Sequence, residues 1–317
     1  MNPLSALYGF ATATRNGFYD RGILRAHRLS RPVISVGNIS AGGSGKTPFV
    51  MLLGELLKQR GISFDVLSRG YGRKTGGVLA VDPNGSPEQF GDEPLLIAKN
   101  TNINCPVVVG ESRYHAGLFA EKSYPSSLHI LDDGFQHRSL HRDFDIVLLT
   151  PEDLRDHLLP AGRLREPISS LRRADAIVLT GELDISKIPA GKAMWRVHRS
   201  LIIPTNISLQ KPIVFCGIAR PRNFVEQLRS AGINPVAEKF FPDHHRYTDR
   251  DIRELLHLRA HYGADSFIAT QKDAVNLGKL YSHLVPIAFP PVKMELTSPT
   301  DALDTMLRVI AERRAKA

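Results

Sequence analysis

Acidic residues are scarce in this chain of 317 residues. Asp and Glu number 32 against 41 Lys and Arg, a formal net charge of +9, and that imbalance points to anionic partners: nucleic acid, phosphorylated metabolites or an acidic membrane surface. Cysteine is nearly missing. Cys105 and Cys216 lie far apart and form no C-x-x-C pair, which excludes a disulfide framework and a cysteine zinc site and fits a reducing cytosol. No apolar run approaches the ~18 residues that a membrane-spanning helix needs, and the N-terminus lacks the compact apolar core and cleavage site of a secretory signal, so a cytoplasmic location is expected. Internal repeats and low-complexity tracts are also lacking. A basic stripe studded with aromatics is absent too, which argues against a nucleic-acid partner. What remains, 42% hydrophobic and 23% charged residues, is ordinary for a soluble globular protein.

Short runs rich in Val and Ile recur along the first half: PVISVGN, FDVLSRG, PVVVG, LHILDD, DIVLLT and AIVLTG. Each reads as a buried strand, and helical patterns such as TPFVMLLGELLKQRG lie between several of them. That alternation predicts an α/β fold with a mainly parallel sheet and helices on both faces. The expected organisation is a P-loop NTPase-like domain over 32–190, a connector over 191–210 that could be two-stranded and holds Trp195, and a second, smaller α/β domain over 211–317. Residues 1–31 stand apart. Leu4, Leu7, Tyr8 and Ala11 recur at helical spacing, while Arg15, Arg21, Arg25, Arg28 and Arg31 face one acid, Asp20. This is the composition of a basic amphipathic helix at a membrane interface, although a basic first helix packed on its own domain has the same pattern.

The phosphate-loop pattern G-x-x-x-x-G-K-[ST] appears with its first glycine missing, as Ser40, Ala41, Gly42, Gly43, Ser44, Gly45, Lys46 and Thr47. A strand precedes the loop and a helix follows it, the context in which backbone N–H groups and the positive helix end hold nucleotide phosphates. Lys46 would reach the β and γ oxygens and the Thr47 hydroxyl would ligate Mg²⁺. Asp132 and Asp133 end an apolar strand of the same domain, where nucleotide enzymes place the acids that hold Mg²⁺. Polar loops follow other strands: SRGYGR, FGDEP, GESRYHAG and GRLREP. Arg69, Arg113 and Arg165 suit a phosphorylated acceptor, because guanidinium forks match phosphate oxygens. Asp92 or Glu93 could serve as a base. Asp243, His244 and His245 read as a hydrogen-bonded loop or catalytic helper, having too few ligands for a zinc centre. In TQKD, Thr270, Lys272 and Asp273 sit at a strand end, with the Lys one place too late for the N-K-x-D signature of a GTP switch.

Together VGNISAGGSGKTP, SRGYGR, GDEP, GESRYHAG, LDDGFQHRSLHRDFDIVLL, GRLREP, FPDHHRYT and TQKDAVNL resemble the tetraacyldisaccharide 4′-kinase family, the lipid A 4′-kinases of Gram-negative bacteria. The resemblance runs over nearly the whole chain and includes the absent first glycine. It implies transfer of the γ-phosphate of ATP, with Mg²⁺, to the 4′-hydroxyl of a tetraacyldisaccharide 1-phosphate, giving lipid IVA. The enzyme would approach an anionic bilayer from the cytoplasmic face of the inner membrane as a peripheral protein, with no obligate protein partner. Carried over by position, Lys46 is catalytic, Ser40 to Thr47 bind ATP, and Thr47, Asp132 and Asp133 hold the metal. Asp92 is the expected base, assisted by His244 on domain closure, and Glu93, Arg69, Arg113, His137, Arg165 and Glu166 are expected acceptor contacts. The rival reading is a P-loop switch or binding protein without lipid kinase activity.

Overall fold

The strand runs are apolar on both sides of their two-residue period, so they can lie only where both faces are covered. In the computed structural model, which describes residues 2–316, six of them become β1 (Val33–Asn38), β2 (Phe64–Ser68), β4 (Val107–Val109), β5 (Leu128–Asp132), β6 (Phe144–Leu149) and β7 (Ala176–Leu179), all fully buried. Helices α1 (Pro3–Asp20), α2 (Lys46–Gln59), α3 (Pro87–Phe90), α4 (Asp92–Ala98) and α5 (Arg113–Ser123) and the short strand β3 (Leu79–Ala80) belong to the same half. The remaining elements are β8 (Ala193–Leu201), β9 (Pro212–Cys216), α6 (Pro221–Ser230), β10 (Ala237–Phe240), α7 (Asp249–Tyr262), β11 (Ser266–Ile268), α8 (Gln271–Leu277), β12 (Ile287–Ala288), β13 (Val292–Leu296) and α9 (Pro299–Ala315).

A nine-stranded sheet has the order β13-β8-β7-β6-β1-β5-β2-β4-β3. Its inner pairs are parallel, and only the edge strands β13 and β3 run antiparallel to their neighbours. Alternation within the strands divides the core. Ile34, Val36, Ile146 and Leu148 face one side with Phe49, Val50, Leu53 and Leu57 of α2, while Val147 and Leu149 face the other with Phe135, Leu164 and Leu171. The strand sequence turns about β1, with β5, β2 and β4 on one side and β6, β7 and β8 on the other. Such a switch point opens a crevice at the carboxyl ends of the strands, where ligands of α/β sheets bind.

The second sheet, β10-β9-β11-β12, is parallel throughout. Apolar clusters cover it on both faces, one around Phe215, Tyr247, Leu255 and Phe267 and the other around Val214, Phe224, Leu228 and Ile268. Thr248 and Thr270 open α7 and α8 with capping boxes closed by Asp251 and Asp273. Each box satisfies backbone donors that the first helical turn leaves free.

The boundaries expected from sequence need four corrections. The unit placed at 211–317 does not hold together as one: β13 leaves the second sheet and pairs with β8, Val292 opposite Leu201. Met294, Leu296, Ala302, Leu303, Met306 and Ile310 of β13 and α9 then complete the core of the first sheet, because their apolar face finds its largest partner there. The connector at 191–210 contributes one strand, β8, parallel to β7, and the second strand of the pair comes from some ninety residues later. The first domain at 32–190 is accordingly incomplete without β8, β13 and α9. At the N-terminus the helix stops at Asp20 instead of running to residue 31. Past it the chain is irregular, with Leu29 packed in the core and Arg31 donating to the Tyr124 and Glu121 carbonyls.

Candidate active site

Ser40 to Thr47 span the turn from β1 into α2. Gly42, Gly43 and Gly45 have φ of +74°, +76° and +84°, a region that residues with a Cβ rarely enter. Ser40 is not among the residues of positive φ. It is buried, bridges backbone to Leu164 and accepts a hydrogen bond from Asn38 Nδ2 at 3.3 Å, while the Ala41 N–H donates to the Arg163 carbonyl at 2.7 Å. The first position therefore asks nothing that only glycine supplies. Asn38 organises the remainder: its Nδ2 donates to Ser44 Oγ at 2.9 Å, and its Oδ1 accepts from Lys46 Nζ at 3.2 Å. Loops of the second sheet press onto this turn. A Cβ on Gly42 would lie 2.7 Å from Ala219 Cβ and 3.4 Å from Asp243 Oδ2.

Asp132 ends β5 opposite Val36 of β1, and Asp133 follows it with φ +51°, a strained conformation for a non-glycine residue that marks functional turns. Burial, followed by the charges of Glu93 and Asp133, pushes the Asp132 carboxyl up to about 7, against the pull of Lys46 and the Ser68 hydroxyl. Its Oδ2 accepts from Ser68 at 3.1 Å, and its Oδ1 is buried without a partner. Burial works on Asp133 in the same sense, but Lys46 at 3.4 Å and Arg165 at 2.8 Å outweigh it and bring that carboxyl down to about 2.

Asp92 opens α4 immediately after Gly91, whose φ of +88° and close approach to Gly70 and the Tyr71 carbonyl leave no space for a side chain. Although only 4% exposed, Asp92 is well supplied with donors. His244 Nδ1 lies 3.0 and 2.9 Å from its two oxygens, the Glu93 N–H 2.9 Å from Oδ1, and Asn276 Nδ2 3.2 Å from Oδ2. Burial would raise its pKa, but the His244 hydrogen bond, the Lys272 charge and Asn276 prevail and hold it at about 2. An ionised carboxylate only accepts, so Nδ1 of His244 carries the proton. Burial would lower the His244 pKa, and the Asp92 hydrogen bond turns the balance upward. His244 too has a strained backbone, φ +59°. Lys272 Nζ lies 3.2 Å from His244 Nε2, 3.2 Å from Glu93, 3.6 Å from Asp243 and 3.7 Å from Asp92. Three residues, His244 from a loop of the second sheet and Lys272 and Asn276 from α8, thus meet the acids of α4.

Beside the aspartates, positive charge accumulates. Burial first, then neighbouring Arg69, lowers the Arg113 pKa to about 10, and its Nε is buried without a partner. Burial together with Arg113, Arg142, Arg15 and Arg69 drives His137 down to about 4, so it is neutral. Arg15 comes from α1 and donates to the Gln136 carbonyl at 2.7 Å. Glu166, expected as an acceptor contact, is corrected. It is 1% exposed, and its oxygens are taken by Arg173 at 2.8 and 3.0 Å and by Asn16 of α1 at 2.8 Å, so it anchors the helix. His245 stacks on Phe241 and bonds Asp251. Thr270 and Asp273 are likewise structural: Asp273 accepts from the Gly217 N–H and Tyr247. Sequence reasoning gave Lys272 no role and passed over Asn276. Their one signal was the polar strand end TQKDAVN.

A family model described as LpxK, tetraacyldisaccharide-1-P 4′-kinase, matches residues 1–311. The tetraacyldisaccharide 4′-kinase of Koribacter versatilis is 49% identical over 99% of this chain and 100% of its own length. That of Aquifex aeolicus is 40% identical over 92% and 93%. Among solved structures, the crystal structure of the "apo" form of LpxK from Aquifex aeolicus in complex with ATP is similar, with a TM-score of 0.78, 37% identity and 97% of each chain covered.

Proposed function

The chain belongs to the tetraacyldisaccharide 4′-kinase family, and from that premise we propose that it transfers the γ-phosphate of ATP to the 4′-hydroxyl of a tetraacyldisaccharide 1-phosphate, giving lipid IVA in lipid A synthesis. The observation that carries the mechanism is the convergence of Lys46, the Asp132–Asp133 pair and the Asp92–His244–Lys272 group at the carboxyl ends of β1 and β5. Phosphoryl transfer asks chiefly for positioning and neutralised charge. The left-handed glycines present N–H groups to the phosphates, and Lys46 is held toward the β and γ oxygens by Asn38 and Asp133.

Mg²⁺ fits Thr47, Asp132 and Asp133: a buried carboxylate oxygen without a partner, on a group whose pKa burial and the neighbouring acids raise, is what a hard cation relieves. Bound there, the ion supplies charge to the transferring phosphoryl oxygens. Asp92 accepts the proton of the 4′-hydroxyl, and His244 orients it by donating from Nδ1. Arg69, Arg113 and Arg165, with neutral His137, receive the anionic acceptor.

The acceptor is a lipid, and the first helix agrees with that. Leu4, Leu7 and Phe10 point outward at 62, 66 and 71% exposure, with Phe18, Ile23 and Leu24 also exposed, whereas Ser5, Tyr8 and Asn16 dock on the Leu158–Glu166 segment. An outward apolar face flanked by Arg15, Arg21 and Arg25 suits peripheral attachment to an anionic surface, which we place at the cytoplasmic face of the inner membrane. Among the described residues no helix is long and apolar enough to cross a membrane. Incubation with labelled ATP and the disaccharide 1-phosphate lipid tests the reading: a labelled 4′-phosphate is expected, and ATP hydrolysis that leaves the lipid unlabelled would overturn it.

A further inference from the structure

Several half-buried arginines of this protein meet a carboxylate: Arg142 meets Asp145, Arg165 meets Asp133, Arg173 meets Glu166, Arg220 meets Asp153 and Arg314 meets Asp143. Arg199, on β8, does not. Among the described residues it makes no ion pair and donates no side-chain hydrogen bond, and its Nε is buried without a partner. Desolvation is the only influence on its charge, and it lowers the pKa. A half-buried guanidinium desolvated at Nε, with no acid beside it, is a place that an anion would stabilise.

Its position says which anion. Arg199 stands directly opposite Met294 of β13, so the two side chains share a face of the sheet. Both reach the phosphate turn: a Cβ on Gly45 would lie 2.7 Å from Met294 Cε and 3.8 Å from Arg199 Nη1. Gly45 is the N-cap of α2, where the helix already presents positive potential, and a second cation there is unfavourable until negative charge arrives. The two sides of the turn differ. Lys46 leans toward Asp133, after β5 on one side of β1, whereas β8 and β13 lie on the other. A phosphate chain laid over the start of α2 with its γ end at the aspartates has its α end toward β8.

We infer that Arg199 is a further nucleotide contact, its guanidinium taking the α-phosphate end of the chain while Lys46 takes the β and γ end. This rests on reading Ser40 to Thr47 as the ATP site. Because ADP and ATP share the α-phosphate, the contact serves binding rather than the transfer step.

The test is calorimetric titration of ADP into the full chain without lipid, so that it stands whether or not the lipid reaction is observed. Arg199→Met should weaken ADP and ATP alike by about 10–100-fold, the range for a lost charge-assisted hydrogen bond, with Arg199→Lys recovering part of the loss. In turnover the change should fall on KM for ATP and not on kcat. Removing an uncompensated cation should leave the Tm of the ligand-free protein equal or higher, while the ADP-induced rise in Tm shrinks. The two diastereomers of α-thio-ADP should bind wild type unequally and Arg199→Met more nearly equally. Wild-type ADP affinity in Arg199→Met, or a lower ligand-free Tm with affinity unchanged, would make Arg199 a packing residue and overturn the inference. Weaker binding with the diastereomer preference intact would overturn the α-phosphate assignment.

Discussion

Replacing Asp92 by Asn keeps the shape of the side chain and removes the charge on which the proposed base depends. Three donors that now meet a carboxylate, His244 Nδ1, the Glu93 N–H and Asn276 Nδ2, would face an amide with one accepting oxygen. The Asp92 carboxyl is held at about 2 instead of 3.8, which corresponds to about 2 kcal/mol of native-state stability. At 4% exposure little of that is screened by solvent. Because the folded pKa is depressed, this stability is complete above about pH 4 and fades as the pH falls toward 2. Asp92→Asn should therefore melt about 3 °C below wild type at pH 7, and the gap should narrow in acid. Catalysis should suffer far more, with kcat falling about 10²–10⁴-fold, the share usually carried by a general base, and ATP affinity changing little. The assay is phosphorylation of the disaccharide lipid at saturating ATP and Mg²⁺, with ADP titration alongside. Undiminished kcat together with weakened ATP·Mg²⁺ binding would refute the reasoning and make Asp92 a positioning residue.

Lys46→Ala should reduce turnover by orders of magnitude while circular dichroism stays unchanged, since Lys46 neutralises the transferring phosphoryl group; wild-type turnover would place catalysis elsewhere. Changing Leu4, Leu7 and Phe10 together to Ser should release the protein from anionic liposomes without altering ADP affinity, and high salt should release part of the wild type. Flotation equal to wild type would mean that this face does not hold the membrane. Asp143 is buried, and although burial alone would raise its pKa, His141, Arg314 and the Val33 N–H hold its carboxyl well below the usual range. Asp143→Asn should cost about 3 kcal/mol in urea unfolding at neutral pH by removing the buried charge that Arg314, Arg28 and His141 share. Stability contributed by the charge is present above about pH 4 and is lost on acidification, so the variant's acid limb should be flatter; equal stability at pH 7 would count against this anchor for α9.

The parts of this protein written in short stretches of chain could be read without a structure. A strand buried on both faces has to be a run such as VISVGN or DIVLL, and a phosphate turn has to place small residues where φ is positive, so β1, α2 and Lys46 follow from some twenty consecutive residues. The acids at 132 and 133 were legible for the same reason: they end a strand. What joins Asp92 to His244 across 152 residues, brings Lys272 and Asn276 beside them, or sends β13 and α9 back to the first core has no local signature. Hydrophobic pattern states that a residue will be buried, not against what. Glu166 shows the limit from the other side, since a carboxylate in a loop of arginines reads equally as a substrate contact and as half of a buried pair. Only the packing of α1, which delivers Asn16 to one side of that carboxylate while Arg173 takes the other, decides that it is an anchor. Likewise Arg199 is one cation among 41 in the sequence, and it becomes distinct only where the fold sets it beside Gly45 with no ion pair among the described residues.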